Sequence, residues 1–201
     1  MHAYSPAVPE SALERVKAHA KTHQWDLVII DAKEFDDVNY LNNPVNRCYY
    51  CKSNLYTRVS QQSDGAVFSG TNLDDLGDYR PGLDAAVERN VVHPYVETGI
   101  CKSDIYAIAQ FYGLTELHAL PAQPCLASRV ETGISIKSDD MAFIDKVEEK
   151  VRQFMPKLKN IRCRISHQGI FVEVDKLPET RVFETISERL SQYCSEQGRI
   201  F

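Results

Sequence analysis

The chain has 201 residues, of which 43% are hydrophobic and 25% charged, and its formal net charge is −5 at pH 7. These proportions are typical of a globular protein with a buried core, and the acidic balance argues against a general nucleic-acid binder. There is no signal-peptide pattern and no apolar run near the ~20 residues that cross a bilayer, so we predict a cytoplasmic protein with no membrane or nucleic-acid partner.

Helical and strand patterns alternate along the first two thirds of the chain. The elements predicted there are a helix at residues 11–23, an apolar strand at 25–31, a polar loop at 36–46, a helix at 48–61, a strand at 65–70, a polar loop at 70–82, a strand at 90–96, a helix at 102–112 and an irregular segment at 120–133. This alternation predicts an α/β domain with a parallel sheet.

The pattern changes after about residue 137. The remaining segments predict an amphipathic helix at 141–154, a strictly alternating strand at 161–165, a second strand at 170–174 and a closing helix at 180–197. We therefore predict two domains, an α/β domain at residues 1–136 and a small α+β domain at residues 137–201.

Three cysteines are candidates for chemistry. Cys48 and Cys51 form a Cys-x-x-Cys pair, and Cys125 stands alone in a Pro-Cys-Leu-Ala-Ser-Arg segment. A pair plus one distant thiol suits a metal site with an open coordination position, or a [4Fe–4S] cluster held at three irons. Buried apolar cysteines and a dithiol redox pair are the alternatives.

The helix at 48–61 places Cys48 and Cys51 at the spacing of its apolar residues, which predicts that both thiols face inward. Lys52 follows the pair and Arg129 lies near Cys125, and cationic neighbours lower the pKa of a thiol. We predict that the other three cysteines are structural. These other cysteines are Cys101, Cys163 and Cys194. The six histidines show no metal-type spacing, so we predict that they are structural or solvent-facing.

The loop at residues 70–82 carries Asp74, Asp75 and Asp78 within five positions. It follows a predicted parallel strand, and such loops lie at the sheet edge where α/β folds bind ligands. Mg²⁺ serving a nucleotide would relieve the repulsion between these carboxylates. The alternative is a solvated acidic loop that is capped by Arg80.

Two arginines, Arg162 and Arg164, alternate on one face of the strand at 161–165, and Glu173 lies on the next strand. Guanidinium groups suit phosphate or carboxylate ligands. A cross-strand ion pair on an exposed face is the alternative.

Three motifs in series, at residues 47–52, 70–82 and 124–129, resemble the LarE family of ATP-dependent sulfur transferases that make the nickel-pincer cofactor. The resemblance covers about residues 5–201. It implies an adenine nucleotide alpha hydrolase-like (PP-loop, Rossmann-like) parallel sheet followed by a small α+β domain. Family members tend to form oligomers, so the resemblance also implies a homo-oligomer.

The chemistry implied by this resemblance starts from a pyridinium biscarboxylic acid mononucleotide. ATP with Mg²⁺ activates one carboxylate as an acyl-adenylate, and a sulfur nucleophile then displaces AMP. Some members give up the sulfur of the residue that matches Cys125. Others hold a [4Fe–4S] cluster with residues that match Cys48, Cys51 and Cys125, and this chain, which has all three, resembles the cluster type.

Other positions are assigned by the same resemblance. Lys52 and Arg129 would line the sulfur-transfer site; Gly70, Thr71 and Asp75 would lie near the nucleotide; Arg162, Arg164 and Glu173 would bind the substrate phosphate and orient the substrate.

The family's Ser-Gly-Gly-x-Asp-Ser phosphate loop and the first strand of its sheet are not found in this sequence. Residues 1–9 match the end of the family's second strand, and residues 198–201 match the start of a final strand. Because backbone N–H groups of that loop cradle phosphates, its absence argues against ATP hydrolysis by this chain alone. It leaves three alternatives: a fragment of a sulfur transferase, a mis-started reading frame, or a degenerate paralogue that completes itself with a partner.

Two further hypotheses stay open. The chain is either a catalytically incomplete protein that only binds a cluster or ligand, or a relative of tRNA-thiolating enzymes. The acidic net charge counts against the second of these.

Overall fold

The structure is a computed structural model, and it describes residues 1–77, 79–114, 116–118, 120 and 123–201. Asp78 of the polar loop and residues 121–122 of the predicted irregular segment lie outside the described residues. No helix in the described part of the chain combines the length and apolarity that crossing a membrane requires.

Helices and short strands are mixed along the chain. The strands are β1 (His2–Tyr4), β2 (Ile29–Asp31), β3 (Ile161–Ser166) and β4 (Gly169–Val174). The α-helices are α1 (Glu10–His23), α2 (Val38–Leu41), α3 (Arg47–Ser60), α4 (Gly82–Glu88), α5 (Pro94–Glu97), α6 (Lys102–Phe111), α7 (Ser138–Phe154) and α8 (Thr180–Glu196). Short 3₁₀ helices span Glu34–Asp36, Leu73–Leu76 and Leu126–Arg129. The predicted mixed α/β class is confirmed at this level.

The chain contacts divide the molecule into two compact units. Unit 1 comprises Met1–Ser5, Leu27–Tyr40 and Pro44–Ala122, and unit 2 comprises Pro6–Asp26, Leu41–Asn43 and Gln123–Phe201. These units are defined by contacts within the chain, and their bounds differ from those of the predicted domains 1–136 and 137–201. The division into those two domains stays a prediction.

Parallel strand pairing in unit 1 is short. β1 pairs with β2 with Ala3 opposite Ile30, so the predicted strand at 25–31 forms only at its end. The strands predicted at 65–70 and 90–96 reduce to one parallel bridge between Phe68 and Val92. The strand prediction is wrong after Val92, because Pro94 at the first helical position favours α5 there. The loop predicted at 36–46 is also wrong in part, since it contains α2.

The core of unit 1 lies between α3 and α4. Tyr56 of α3 packs with Ala85 and Ala86 of α4 and with Val91, and all four are buried. Gly82 begins α4 close to α3, where a Cβ atom would lie 2.9 Å from Lys52 Cγ and 3.4 Å from the Cys48 carbonyl oxygen. The absence of a side chain at Gly82 therefore allows the start of α4 to approach the first turns of α3.

Unit 2 is built around one face of α7. Met141, Ile144, Val147 and Val151 are buried on that face, and they recur at the spacing of an amphipathic helix. β3 and β4 form an antiparallel hairpin in which buried and half-buried residues of β3 alternate, as predicted. The alternation directs Arg162 and Arg164 away from the core.

Asn43 fixes the segment that follows the Cys125 motif within unit 2. It is fully buried and has a positive φ of 51°, a conformation that Asn tolerates better than most residues. Its Nδ2 group donates to the Glu131 and Ile134 carbonyls at 2.8 and 2.9 Å. The Gly133 N–H donates back to the Asn43 carbonyl. The Asn43 side chain therefore supplies hydrogen bonds to the backbone of residues 131–134, which belong to no helix or strand.

Candidate functional site

A pocket of about 520 Å³ lies entirely within unit 1. α3, the end of the Phe68 bridge strand, the loop at 70–82 and the start of α4 supply its walls. Its lining residues are Cys48, Lys52, Tyr56, Ser69, Gly70, Thr71, Asp75, Tyr79, Arg80, Pro81, Gly82 and Leu83. The pocket thus gathers residues of the first two sequence motifs.

Cys48 is exposed, whereas Cys51 is half-buried. The prediction that both thiols face inward with the apolar residues is therefore wrong for Cys48. The buried face of α3 is set by Tyr56, which packs against the alanines of α4. Cys48 lies two turns before Tyr56 and opens into the pocket instead.

The acidic loop is held by protein donors. Asp75 Oδ2 accepts hydrogen bonds from the N–H and Nδ2 groups of Asn72 at 3.1 and 3.0 Å, and its Oδ1 lies 3.0 Å from Arg80 Nη2. Asp74 Oδ2 accepts the N–H of Lys102 at 2.8 Å. These contacts match the alternative in which Arg80 caps the loop, while the Mg²⁺ prediction stays a prediction.

Ser69 and Thr71 form a hydroxyl pair in the pocket wall, with their oxygens 2.8 Å apart. Ser69 Oγ also lies 2.7 Å from His93 Nδ1. The sequence interpretation did not single out Ser69 or His93. Each residue follows one of the two bridged strands, and parallel strands bring their carboxyl ends to one edge, which is the signal that would have predicted this contact.

Cys125 belongs to unit 2, where it is half-buried directly before the 3₁₀ helix Leu126–Arg129. Its carbonyl accepts hydrogen bonds from the Ser128 N–H and from Arg129 Nη1. The Leu126 N–H donates to the Ala7 carbonyl at 2.8 Å. The peptide group that joins Cys125 to Leu126 is therefore fixed within this unit.

Arg129 is buried and faces the protein interior. Its Nε and Nη2 groups donate to both carboxylate oxygens of Glu148, at 2.9 and 3.3 Å. Its Nη1 group donates to the Pro124 carbonyl at 2.6 Å and to the Ser128 hydroxyl at 3.1 Å. All three guanidinium nitrogens thus have protein acceptors.

The arginines of β3 lie in the same unit as Cys125. Arg164 Nε is 2.8 Å from Glu173 Oε1, and Arg164 Nη1 donates to the Ser128 carbonyl at 3.2 Å. The Arg164 guanidinium lowers the pKa of Glu173. Arg162 stands opposite Glu173 in the strand register. The cross-strand ion pair is therefore present, and the substrate-phosphate role of these residues stays a prediction.

The remaining cysteines have local roles. Cys163 and Cys194 are fully buried, and burial raises the pKa of each thiol. Cys101 lies at the start of α6, where its N–H and its thiol both donate to Asp104 Oδ2 at 2.9 Å. These environments agree with the predicted structural roles.

Among the described residues, no group of three or more His, Cys, Asp or Glu side chains is arranged to hold a metal ion. Cys48 and Cys51 belong to unit 1 and Cys125 to unit 2. The [4Fe–4S] cluster on these three thiols therefore stays a prediction from the sequence.

No family model matches the chain. It is 36% identical over 158 residues to an uncharacterised protein of Synechocystis, a match that covers 75% of this chain and 58% of that protein. It is 29% identical over 193 residues to an uncharacterised protein of Methanocaldococcus jannaschii, covering 94% of this chain and 73% of the relative.

A third relative has a stated activity. The chain is 28% identical over 168 residues to the pyridinium-3,5-bisthiocarboxylic acid mononucleotide synthase of Lactiplantibacillus plantarum, a match that covers 81% of this chain and 59% of that enzyme. The chain spans less than two thirds of the Synechocystis and Lactiplantibacillus proteins. These similarities support the LarE-like resemblance of the three motifs.

Proposed function

We propose that this chain acts in sulfur transfer to a carboxylate of a pyridinium mononucleotide. The main supporting observation is that the first two motifs meet in one pocket, where Cys48 and Lys52 of α3 face Thr71 and Asp75 of the loop. Its similarity to a bisthiocarboxylic acid mononucleotide synthase supports the same substrate class. The proposed fold is the PP-loop type that the motifs resemble.

The proposed reaction has two steps. In the first, an oxygen of the substrate carboxylate attacks the α-phosphorus of ATP, pyrophosphate leaves with its bonding electrons, and an acyl-adenylate forms. In the second, a sulfur nucleophile attacks the acyl carbon and AMP leaves, which produces a thiocarboxylate. Adenylation supplies the leaving group that a free carboxylate lacks, as in other covalent activation strategies.

Lys52 and Arg80 are the cationic side chains of the pocket. Lys52 is a flexible point charge, whereas Arg80 is held by Asp75 at 3.0 Å. We assign Lys52 to the anionic groups of the bound nucleotide or substrate, because an ammonium group suits phosphate oxygens without fixed geometry. The hydroxyls of Ser69 and Thr71 supply neutral hydrogen-bonding groups beside it.

Cys125 is the proposed residue through which sulfur passes. If its own sulfur is transferred, the thiolate attacks the acyl-adenylate and forms a thioester. A base then removes the Cα proton, the Cβ–Sγ bond breaks with its electrons on sulfur, and dehydroalanine remains. The alternative sulfur source is a [4Fe–4S] cluster on Cys48, Cys51 and Cys125, which would supply a hydrosulfide bound to iron.

The test supplies the chemically prepared acyl-adenylate of the pyridinium substrate to the anaerobic protein, so that ATP activation is not required. We expect mass spectrometry to detect the product in which sulfur replaces one carboxylate oxygen. Cys125→Ala should abolish this product, while Cys101→Ser, which keeps a capping group at α6, should form it at the wild-type rate. Equal product from wild type and Cys125→Ala would refute the proposal, and binding without product would favour the non-catalytic alternative.

A further inference from the structure

Arg129 and Glu148 form a buried, two-pronged ion pair in unit 2. Their side chains are only 7% and 9% exposed, and both guanidinium–carboxylate hydrogen bonds run between the 3₁₀ helix and α7. An arginine that is buried and paired in this way is not available to a substrate. Its function must therefore be sought in the protein groups that it contacts.

The third guanidinium nitrogen, Nη1, contacts the backbone beside the proposed sulfur carrier. It donates to the Pro124 carbonyl at 2.6 Å and to the Cys125 carbonyl at 3.1 Å. These two carbonyls belong to the peptide groups on either side of the Cys125 Cα atom. Charge-assisted hydrogen bonds are shorter and stronger than neutral ones, so Arg129 restricts the conformations from which the Cys125 side chain projects.

Glu148 anchors this arrangement to the core. Its Oε1 atom accepts the Cys163 N–H at 3.0 Å in addition to Arg129 Nε. Cys163 lies on β3 and is fully buried. The carboxylate therefore joins α7, the β3 backbone and the guanidinium that holds the Cys125 segment.

We propose that Arg129 and Glu148 are positioning residues that fix the presentation of the Cys125 thiol. This inference rests on the proposed role of Cys125 and replaces a direct role of Arg129 at the substrate. Nη1 holds the two carbonyls, and the Glu148 carboxylate holds Nη1 in place by binding the opposite edge of the guanidinium plane. Glu148 acts through Arg129 and does not touch the thiol in this account.

If the ion pair served only to stabilise the fold, replacing it would leave the reactivity of Cys125 unchanged. Buried ion pairs can often be replaced by apolar residues of similar volume without loss of stability. The double variant Arg129→Met/Glu148→Met should therefore keep the fold while removing the hydrogen bonds to Pro124 and Cys125. In this double variant, the stability of the fold and the alkylation rate of Cys125 can be measured separately.

The experiment measures the alkylation rate of Cys125 by iodoacetamide in the full chain, with peptide mass spectrometry to separate the cysteines. Cys101, in unit 1, provides the internal reference within each sample. We expect the double variant to alkylate at Cys125 about fivefold faster than wild type, since loss of a hydrogen bond loosens the segment. Glu148→Gln keeps one acceptor for Arg129 but loses the second acceptor and the charge, so its Cys125 rate should lie between those of wild type and the double variant.

If the double variant fails to fold, Arg129→Lys takes its place, because lysine keeps the charge and loses the fork that reaches Glu148 and the carbonyls together. An unchanged Cys125 rate in either folded variant would overturn the proposal. Alkylation requires no substrate. A faster Cys125 rate with no sulfur transfer in wild type would therefore reject the proposed function and retain the positioning role.

Discussion

At the scale of single residues, the Ser69 hydroxyl determines whether the Thr71 hydroxyl can donate a hydrogen bond to a ligand in the pocket or can only accept one. The Thr71 N–H donates to Ser69 Oγ at 3.3 Å, so one lone pair of Ser69 is used. A hydroxyl has one proton. If Ser69 donates it to His93 Nδ1, the Thr71 hydroxyl donates to Ser69 and presents lone pairs to the pocket. If His93 Nδ1 carries the proton, Ser69 donates to Thr71, whose own proton can reach a ligand.

Ser69→Ala removes the hydrogen bonds that join His93 to Thr71, whichever of Ser69 and His93 carries the shared proton. We expect the variant to bind AMP about fivefold more weakly, because the Thr71 hydroxyl loses its orienting partner. Calorimetric titration measures the dissociation constant. Ser60→Ala, at the exposed end of α3, is the control and should bind as wild type; equal affinity in all three proteins would contradict the assigned role of Ser69.

Glu34 gives a pH-dependent prediction. It is buried in unit 1, and burial raises the pKa of its carboxyl group. A raised folded-state pKa means that ionisation opposes folding, so stability is fully present below the unfolded-state pKa near 4.3 and falls as pH rises through the folded-state value. Glu34→Gln should therefore stabilise the protein at neutral pH.

This stabilisation should shrink toward zero as the pH approaches about 4, where Glu34 is neutral in both states. Denaturant unfolding at several pH values measures it. Asp26→Asn, at a position outside the helices and strands, serves as the comparison. If the free energy of unfolding of Glu34→Gln exceeded that of wild type by more at low pH than at neutral pH, the raised pKa of Glu34 would be contradicted.

The cysteines should separate by reactivity. Because the thiolate is the nucleophile, raised pKa values and burial should protect Cys163 and Cys194 from iodoacetamide in the native protein. Exposed Cys48 should react first. Peptide mapping after a short exposure at pH 8 tests this order, and early modification of Cys163 with the fold intact would disprove its buried position.

At the scale of elements, the contact between α3 and α4 shapes the pocket. A methyl group at Gly82 would lie 2.9 Å from Lys52 Cγ, whereas one at Gly77 would meet nothing within 4 Å. Gly82→Ala should displace Lys52 and weaken AMP binding several-fold, while Gly77→Ala should bind as wild type. Equal affinities in the two variants would show that Lys52 does not depend on this close approach.

The longer helices were predictable and the short strands were not. α1, α3, α6, α7 and α8 carry apolar residues at helical spacing, so their existence followed from sequence, with ends shifted by a few residues. The strands at 65–70 and 90–96 depend on pairing between distant segments. A local apolar run cannot report how far such pairing extends, and here it stops at Phe68 and Val92.

At the scale of the whole molecule, the predicted site residues fall into two sets. Cys48, Lys52, Gly70, Thr71 and Asp75 line the pocket of unit 1. Cys125, Arg129, Arg162, Arg164 and Glu173 belong to unit 2. The motifs singled out these residues, but the sequence interpretation grouped Cys125 with Cys48 and Cys51, and Arg129 with Lys52, rather than in these two sets. The sequence could not predict that Arg129 forms a buried ion pair with Glu148. A glutamate within an amphipathic helix carries no sequence signal of a buried partner.

The cluster prediction involves three thiols and is tested on the intact chain. Anaerobic reconstitution with iron and sulfide should give an iron–sulfur absorbance band and bound iron in wild type. Cys48→Ser, Cys51→Ser and Cys125→Ser should each lower the iron content, and Cys101→Ser should not. Iron binding that is unaffected by Cys125→Ser would exclude that residue as a ligand.

The central claim is that sulfur reaches the pyridinium carboxylate through this protein. The most direct test loads the protein with heavy-isotope sulfide, removes free sulfide and adds the acyl-adenylate for a single turnover. If sulfur is delivered from a cluster, the thiocarboxylate carries the heavy isotope; if Cys125 gives up its own sulfur, the product carries the natural isotope and the protein loses one sulfur at Cys125. Absence of thiocarboxylate, or its formation to the same extent with Cys125→Ala, would contradict the account.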